Sequence, residues 1–435
     1  MDASRQFRSA AWCAAIASSI GAWVGGAPVA LAQHGTPPMR LERDLSDPDG
    51  FRAHLERQTG VRIDPRRGQG NGGGAPRLHG ERPTILLTGY WPPSNEAIRE
   101  FSDDPVQNPG GWIGQDWEGR GYDVHSYFPE FVPRNCRSCG RGSGDLEVDY
   151  QDTSADFAAI VADLEPIAVI TFSRGFDDLS WELEMNQYNR TVWIDDFASP
   201  FQPTPAPPDA GWPADGLRLS TLPVQEIVDA VDAAGLGLDP YICYSGNGGG
   251  YLSEFIAYHG VWYQDLFRSP ADPDWCIAGG HVHVGGRISW ANAKAAAQVT
   301  LREVITWVDQ VRGSVVCQPD LGFGGPGLAT LACCGEELAG GATADLQLSG
   351  APAGSLAFLL AGLVNQPTPF AGGMLLPMPP LLLEPFVVDA DGKVKLHDLE
   401  GGCGPQTLFA QFACLDPAQP GGFALSNALQ IELLP

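Results

Sequence analysis

The stretch SGNGGGYLSEF (residues 245–255) follows the apolar run Tyr241-Ile242-Cys243-Tyr244 and leads into Glu254-Phe255-Ile256-Ala257-Tyr258. It reads as strand, glycine loop and helix, an arrangement that aims backbone N–H groups at negative charge. A phosphate loop needs a Lys followed by Ser or Thr, and neither follows Gly250. A dinucleotide G-x-G-x-x-G pattern fits Gly246-Asn247-Gly248 but fails at Tyr251. A G-x-S-x-G elbow fails too, because Tyr251 and Phe255 stand where its glycines belong around Ser253. What remains is Ser253 near the expected first turn of a helix, where unpaired N–H groups stabilise developing negative charge. Taken alone, Ser253 reads equally as an ordinary serine at a helix N-terminus.

Outward from this loop, strands and helices alternate. Thr84-Ile85-Leu86-Leu87-Thr88-Gly89 and Ile167-Ala168-Val169-Ile170-Thr171-Phe172 are short apolar runs that read as buried strands. Tyr241-Ile242-Cys243 and Cys276-Ile277-Ala278 add two more. Helices are expected over 154–164, over 223–234 with Thr221 as a cap and Gly235 as its stop, and over 291–311 before Gly313. This pattern predicts an α/β three-layer (αβα) domain over 81–312. Beyond Gly313 no helical pattern appears. Strand-like runs at 344–348, 356–360, 408–412 and 428–432, punctuated by Gly and Pro, predict a C-terminal β-sandwich over 313–435.

The N-terminal residues read differently. Arg5 and Arg8 precede an apolar stretch from Ala10 to Val24, and Ala30-Leu31-Ala32 is a small-x-small cleavage site, so 1–32 reads as a secretory signal peptide. Gly21, Gly25, Gly26 and Pro28 interrupt the run and argue against a membrane anchor. Residues 33–80, with Gly68-Gln69-Gly70-Asn71-Gly72-Gly73-Gly74, read as a flexible linker. The expectation is a secreted or periplasmic protein. Of 10 cysteines, Cys13 lies in the signal, leaving nine, an odd number. Outside the cytosol most are expected in disulfides, with Cys136 and Cys139 as a local loop staple and Cys243 as a core or disulfide residue.

The chain has 435 residues, a 44% hydrophobic fraction and a formal net charge of -26, which favour packed domains and disfavour nucleic-acid or anionic-membrane partners. Among residues that carry chemistry, His281-Val282-His283 continues a strand-like region, and residues two apart share one side. The pair is a possible metal site, but the sequence offers no third ligand, and a strand His is more often a packing or hydrogen-bonding residue. Glu182 lies about ten residues past a strand, in the kind of segment where α/β sites form. By itself it reads as a surface carboxylate.

Glu182, Ser253 and His283 occur in that order. The stretch from Thr84 to Val311 resembles pyroglutamyl peptidase type I, also called pyrrolidone-carboxylate peptidase. Thr88-Gly89-Tyr90-Trp91-Pro92-Pro93 resembles the T-G-F-x-P-F opening of that family, and ITFSRGFDDLSWE (170–182) resembles a segment ending on its catalytic Glu. STLPVQEIVDAVDAAG (220–235) resembles its T-x-L-P-x-x-x-I helix. GGGYLSEF resembles its A-G-T-x-x-C-N loop with Ser253 at the nucleophilic Cys, and GHVHVG (280–285) resembles its G-F-I-H-V-P strand with His283 at the catalytic His. Glu254, Leu183 and Pro93 depart from the family residues at their positions. The C-terminal segment, with GAPAGSLAFLLAG and ALSNALQI, resembles an all-β module recurring on secreted proteins of some environmental bacteria.

The resemblance implies a hydrolase that removes pyroglutamyl-like groups from peptides or small amides without a cofactor, the C-terminal module being accessory. Ser253, His283 and Glu182 are the implied catalytic residues. Tyr90, Trp91, Pro93, Phe172, Gly249 and Gly250 are the implied substrate contacts. Donors from the 246–252 or 88–93 loop are the implied oxyanion hole. Ser differs from Cys in one physical respect: a thiolate can be pre-formed at a helix N-terminus beside a His, whereas a serine hydroxyl must lose its proton during attack. Two other readings stand beside this one, a binding relative without activity and a metal-dependent hydrolase using His281 and His283.

Overall fold

The computed structural model of the chain describes residues 82–137, 139–245 and 248–435. The expected signal peptide and linker lie outside these residues. The described chain divides into two units. One comprises 82–268 and 274–313, the other 269–273 and 314–435.

The first unit contains strands β1 (Thr84–Tyr90), β2 (Asp123–Tyr127), β3 (Ala168–Arg174), β4 (Ser180–Glu184), β5 (Asn186–Tyr188), β6 (Leu217–Leu219), β7 (Asp239–Cys243) and β8 (Ala278–Val284). Its helices are α1 (Ser94–Ile98), α2 (Tyr150–Leu164), α3 (Val224–Ala233), α4 (Leu252–Leu266) and α5 (Trp290–Ser314). Six strands form one mixed sheet in the order β2-β1-β3-β8-β4-β7, and β5 pairs with β6 apart from it. The β2, β1, β3 and β8 strands are mutually parallel, β4 runs antiparallel to β8, and β7 runs parallel to β4.

Apolar runs such as Ile85-Leu86-Leu87 are buried on both faces because helices cover both sides of the sheet. The period of two sorts each strand between them. Ile85, Leu87, Ile170, Phe172, Trp181, Leu183, Val282 and Val284 pack with Ile227 and Val231 of α3 and with Ala293, Leu301 and Val304 of α5. Leu86, Tyr90 and Val169 pack on the other face with Phe157 of α2 and Phe255 and Tyr258 of α4. Asp149 starts α2 by accepting hydrogen bonds from the N–H groups of Gln151 and Asp152. Among the described residues the α3 helix has no side-chain cap. Thr221, expected to cap it, instead accepts a 2.8 Å hydrogen bond from the Gly279 N–H and so ties the loop to β8.

The β4 strand is the main departure from the sequence reading. Glu182 lies in a strand, not in a segment leading to a helix. Ser180-Trp181-Glu182-Leu183-Glu184 alternates polar and apolar residues, and its polar half masks it as a loop.

The second unit is built from β9 (Val316–Cys317), β10 (Asp320–Gly322), β11 (Thr330–Gly335), β12 (Thr343–Ser349), β13 (Leu356–Gly362), β14 (Thr368–Phe370), β15 (Gly373–Leu375), β16 (Leu382–Val387), β17 (Val394–Glu400), β18 (Gln406–Leu415), β19 (Phe423–Leu425) and β20 (Ala428–Leu433). One antiparallel sheet has the order β10-β20-β18-β13-β16, with β19 on β18, and a second has the order β17-β12-β11-β9. A single apolar cluster draws Leu331, Leu346 and Leu348 from one sheet and Leu359, Ala410, Phe412 and Ile431 from the other. Within this unit the buried Asp272 carboxylate lies 2.9 Å from Lys393 Nζ and 3.5 Å from Lys395 Nζ.

Disulfides join Cys136 to Cys139 and Cys317 to Cys334. Among the described residues four thiols are free: Cys276, Cys333 and Cys414 are buried, while Cys243 is half-buried. Cys403 is also disulfide-bonded, so the nine described cysteines divide into five bonded and four free. Cys243 is not a core residue, because β7 is an edge strand. No helix among the described residues is long and apolar enough to cross a membrane.

Two outcomes follow from this packing. Alkylation of the native protein, mapped by mass spectrometry, should label Cys243 first and reach Cys276, Cys333 and Cys414 only after unfolding; equal native labelling of all four would contradict the burial. Asp272→Ala removes a buried carboxylate that pairs with the Lys393 and Lys395 ammonium groups and should lower stability by about 3–5 kcal/mol in denaturant unfolding, the scale for breaking a buried ion pair. A change below about 0.5 kcal/mol, the scale of an ordinary surface substitution, would make the cluster energetically idle.

Candidate functional site

The sheet register assembles a polar site from five strands. Tyr90, Ser173, His283, Glu182 and Tyr241 form one row across β1, β3, β8, β4 and β7. Thr88, Thr171, His281, Glu184 and Cys243 form the next row on the same face. The intervening residues Phe172, Val282, Trp181 and Leu183 point to the opposite face and belong to the apolar core.

His283 is 6% exposed. Its Nδ1 lies 3.1 Å from Glu184 Oε1 and 3.7 Å from Glu182 Oε2. Its Nε2 has no hydrogen-bond partner among the described residues. Burial by itself would pull the His283 imidazole down, but the charge and hydrogen bond of Glu184, then Glu182 and Glu254, push its pKa above the usual value. Glu184 is almost fully buried, which alone would raise its pKa, yet His283, His281 and the Gln187 amide hold it at about 2. Gln187 Nε2 donates to Glu184 Oε2 at 3.0 Å. Glu182 is engaged from β7 by the Tyr241 hydroxyl and the Cys243 thiol. Both of these are raised, first by burial and also by that carboxylate.

His281 is fully buried, with Thr171 Oγ1 2.7 Å from Nδ1 and Ser173 Oγ 2.9 Å from Nε2. Burial, reinforced by His283, lowers its pKa to about 3, so the ring is neutral. Glu184, His281 and His283 each offer a donor atom within 4.8 Å of the others, which supplies the third candidate metal ligand that the sequence did not reveal. Both His281 nitrogens are already committed to hydroxyls, so a metal there would have to displace Ser173 or Thr171.

Ser253 occupies the second position of α4, after Tyr251 at the N-cap and Leu252. It is 7% exposed, and its hydroxyl makes no hydrogen bond among the described residues, to His283 or any other group. The next residue, Glu254, is fully buried, pairs with Arg190 and accepts the Gly250 N–H at 2.8 Å. Glu254 thus reaches back over its own helix start, as a capping residue does. That contact explains the glycines. A Cβ on Gly248 would come within 2.9 Å of Glu254 Cβ, and Gly249 and Gly250 have φ of 88° and 66°. Because the Gly250 N–H is taken by Glu254, it is not a spare oxyanion donor.

The other implied substrate contacts are spread over two faces. Tyr90 is fully buried, and its hydroxyl bonds Thr153. Trp91 stacks between Phe131 and Tyr251 with ring centroids 6.4 and 5.9 Å away. Its φ of 59° is the left-handed conformation that costs a large residue energy. Its buried Nε1 has no hydrogen-bond partner among the described residues. Pro93 precedes α1 and is buried. Phe172 lies away from the histidines, against Trp181 at 5.9 Å. Sequence reasoning missed Glu184, Gln187, Thr171 and Ser173. The signal was the alternation in β4, which puts Glu184 on the side of Glu182.

No protein-family profile matches the chain, and no curated protein matches it. Among solved structures, pyrrolidone carboxyl peptidase from the hyperthermophile Pyrococcus furiosus is similar with 14% identity, covering 52% of this chain and 99% of that one at a TM-score of 0.38. Pyroglutamyl peptidase I from Bacillus amyloliquefaciens is similar with 14% identity, covering 52% of this chain and 98% of that one at a TM-score of 0.35. Likeness this slight assigns no function to the chain.

The titrations have a checkable sign. His281 is held near 3 and Glu184 near 2, both below their ordinary values. The unfolded chain therefore binds more protons than the folded one at acid pH. The stability of the first unit should fall as pH drops from the ordinary His range toward 3. His283, shifted upward, acts oppositely: its contribution is present below the ordinary His value and is lost as pH rises through its folded value. Denaturant midpoints measured across this range should thus peak near the ordinary His pKa. A His281→Asn variant should show a shallower acid limb, and an unchanged limb would contradict the neutral, buried assignment.

Proposed function

We propose that the protein is an exported hydrolase that cleaves an amide, removing N-terminal pyroglutamyl-like groups from peptides, with Ser253 as nucleophile and His283 as general base. The observation that carries this reading is the state of His283. Its Nδ1 is held by carboxylates while its Nε2 has no hydrogen-bond partner among the described residues. That is the arrangement of a base whose tautomer is set from behind. Glu254, beside Ser253 at the start of α4, adds to the upward shift of His283 after Glu184 and Glu182. In resting enzymes a nucleophile–base hydrogen bond is often long and tightens when substrate binds.

In the proposed reaction, His283 Nε2 takes the Ser253 proton as Oγ bonds to the carbonyl carbon. The tetrahedral intermediate then collapses, the C–N bond breaks, and the amine leaves with the proton from Nε2. Water, activated by His283, hydrolyses the acyl-enzyme and regenerates the serine. Spare backbone donors of the 88–93 loop and of the first turn of α4 receive the oxyanion. A carboxylate of β4 orients His283, the part the family resemblance gives to Glu182. Tyr90, Trp91 and Pro93 line the acyl side, with Gly249 and Gly250 beside them. Neither cofactor nor metal takes part. The two antiparallel sheets of residues 313–435 stack as a β-sandwich that is accessory to the reaction. The single apolar cluster drawing on both sheets supports that stacking.

A second reading is a metal-dependent hydrolase, favoured by the convergence of Glu184, His281 and His283. One series of assays on pyroglutamyl-amide and related amide substrates separates the two. Ser253→Ala should lower kcat on the order of 10⁶-fold, the scale for losing a triad nucleophile. Ser253→Cys should keep turnover and become sensitive to thiol alkylation, because a helix N-terminus and a neighbouring His favour the thiolate. Turnover should survive a chelator. Unchanged turnover in Ser253→Ala would reject the serine mechanism, and loss to the chelator with rescue by metal would favour the second reading. No turnover by the native chain and the Cys variant on any amide would favour a binding relative without activity.

A further inference from the structure

Two carboxylates flank His283, and they differ in how they meet it. Glu184 Oε1 lies 3.1 Å from Nδ1, within hydrogen-bonding distance, whereas Glu182 Oε2 lies at 3.7 Å, outside it. Glu182 is directly opposite His283 in the strand register, and Glu184 reaches it diagonally from the next row. The diagonal contact is the tighter one because the opposite oxygen of Glu184 is anchored by Gln187 at 3.0 Å, and Gln187 is itself fully buried. Glu182 has competing partners on β7, Tyr241 and Cys243. The third carboxylate near the ring, Glu254, is committed to Arg190 and to the Gly250 N–H. His281, the remaining titratable neighbour, crosses the His283 ring edge-on at 4.6 Å and bonds Thr171 and Ser173.

We propose that Glu184, and not Glu182, is the positioning residue for His283, accepting its Nδ1–H while Gln187 fixes the carboxylate. The assignment rests on the reading of His283 as a general base. It gives Glu182 a different place, at the β7 side of the site with Tyr241. Holding the proton on Nδ1 keeps Nε2 as the lone-pair nitrogen, the only form that can accept a proton from a serine hydroxyl.

The test compares Glu184→Gln with Glu182→Gln in the full chain, by amide turnover and by ¹⁵N-edited spectra of the histidine rings above the His283 titration. Glu184→Gln should lower kcat by on the order of 10³ to 10⁴, with KM changed less than about threefold, the pattern of a base presented in the wrong tautomer. Its His283 signals should shift from the Nδ1–H to the Nε2–H tautomer. Glu182→Gln should keep the native tautomer and lose less than about tenfold in kcat, short of the range typical for losing general acid–base assistance. A native tautomer in Glu184→Gln, or the large loss and the tautomer change in Glu182→Gln, would overturn the proposal. If no substrate is turned over, the spectra decide alone, so failure of the hydrolase reading is separable from failure of this one. Should Glu184→Gln not fold, Gln187→Leu, which frees the carboxylate without removing it, should mix the tautomers of His283; an unmixed native spectrum would count against the proposal.

Discussion

The antiparallel pairing of β4 with β8 is the constraint on which the site depends. It sets Glu182 opposite His283 and Glu184 opposite His281. Burying a carboxylate or an imidazolium alone costs several kcal/mol after relaxation, and only a partner in the same low-dielectric layer offsets it. Neither row of the sheet is therefore tolerable without the other. A slip of one residue would turn Trp181 and Leu183 toward the histidines and drive two carboxylates into the apolar core around Phe172 and Val282. Register in a sheet is commonly held by its hydrophobic pattern and its turns. Here charge on one face and aromatic packing on the other reject the same error.

The glycine loop and α4 answer to this layer. Glu254 enters the site region as a further buried carboxylate, and Arg190 with the Gly250 N–H takes up its charge. The chain must pass close over that carboxylate, so Gly248 cannot carry a Cβ and Gly249 and Gly250 adopt positive φ. The loop is thus glycine-rich for a local electrostatic reason as much as for any ligand. Its residues resemble an anion-binding loop because turning a chain over its own carboxylate requires the same backbone freedom as turning it over a phosphate.

Much of the fold was legible because apolar runs and helix periodicity survive in a single sequence. β1, β3, β8, α2, α3 and α5 fall within a few residues of their expected places. The C-terminal change to short strands is legible for the same reason: Leu346, Leu348, Leu359 and Phe412 sit inward in period-two runs. The strands that escaped are those whose inward face is polar. β4 carries Glu182 and Glu184 into a buried layer, which hydrophobic patterning treats as exposed. The site was half legible in consequence. Ser253, His283 and Glu182 are singled out by the family resemblance of their motifs, whereas Glu184 and Gln187 acquire meaning only once the alternation of β4 is set against β8. Thr221 shows the reverse error. A threonine before a helix suggests a cap, but the Gly279 N–H competed for its hydroxyl and won.

Charge at the site also bears on what kind of nucleophile it suits. A carboxylate-rich layer raises His283 and so increases its thirst for a proton, while lowering the fraction of neutral ring at a given pH. For a cysteine, an imidazolium in the resting state is useful, because it stabilises the thiolate beside it. A serine needs the opposite, a neutral imidazole that gains its charge only as the hydroxyl proton departs. In the proposed mechanism Glu184, kept ionised by its contacts despite burial, would stabilise that charge as it forms. In the proposed serine mechanism the carboxylates of β4 would act on the resting ring and on the transition state alike, and a base so raised would be neutral only on the alkaline side of an ordinary histidine.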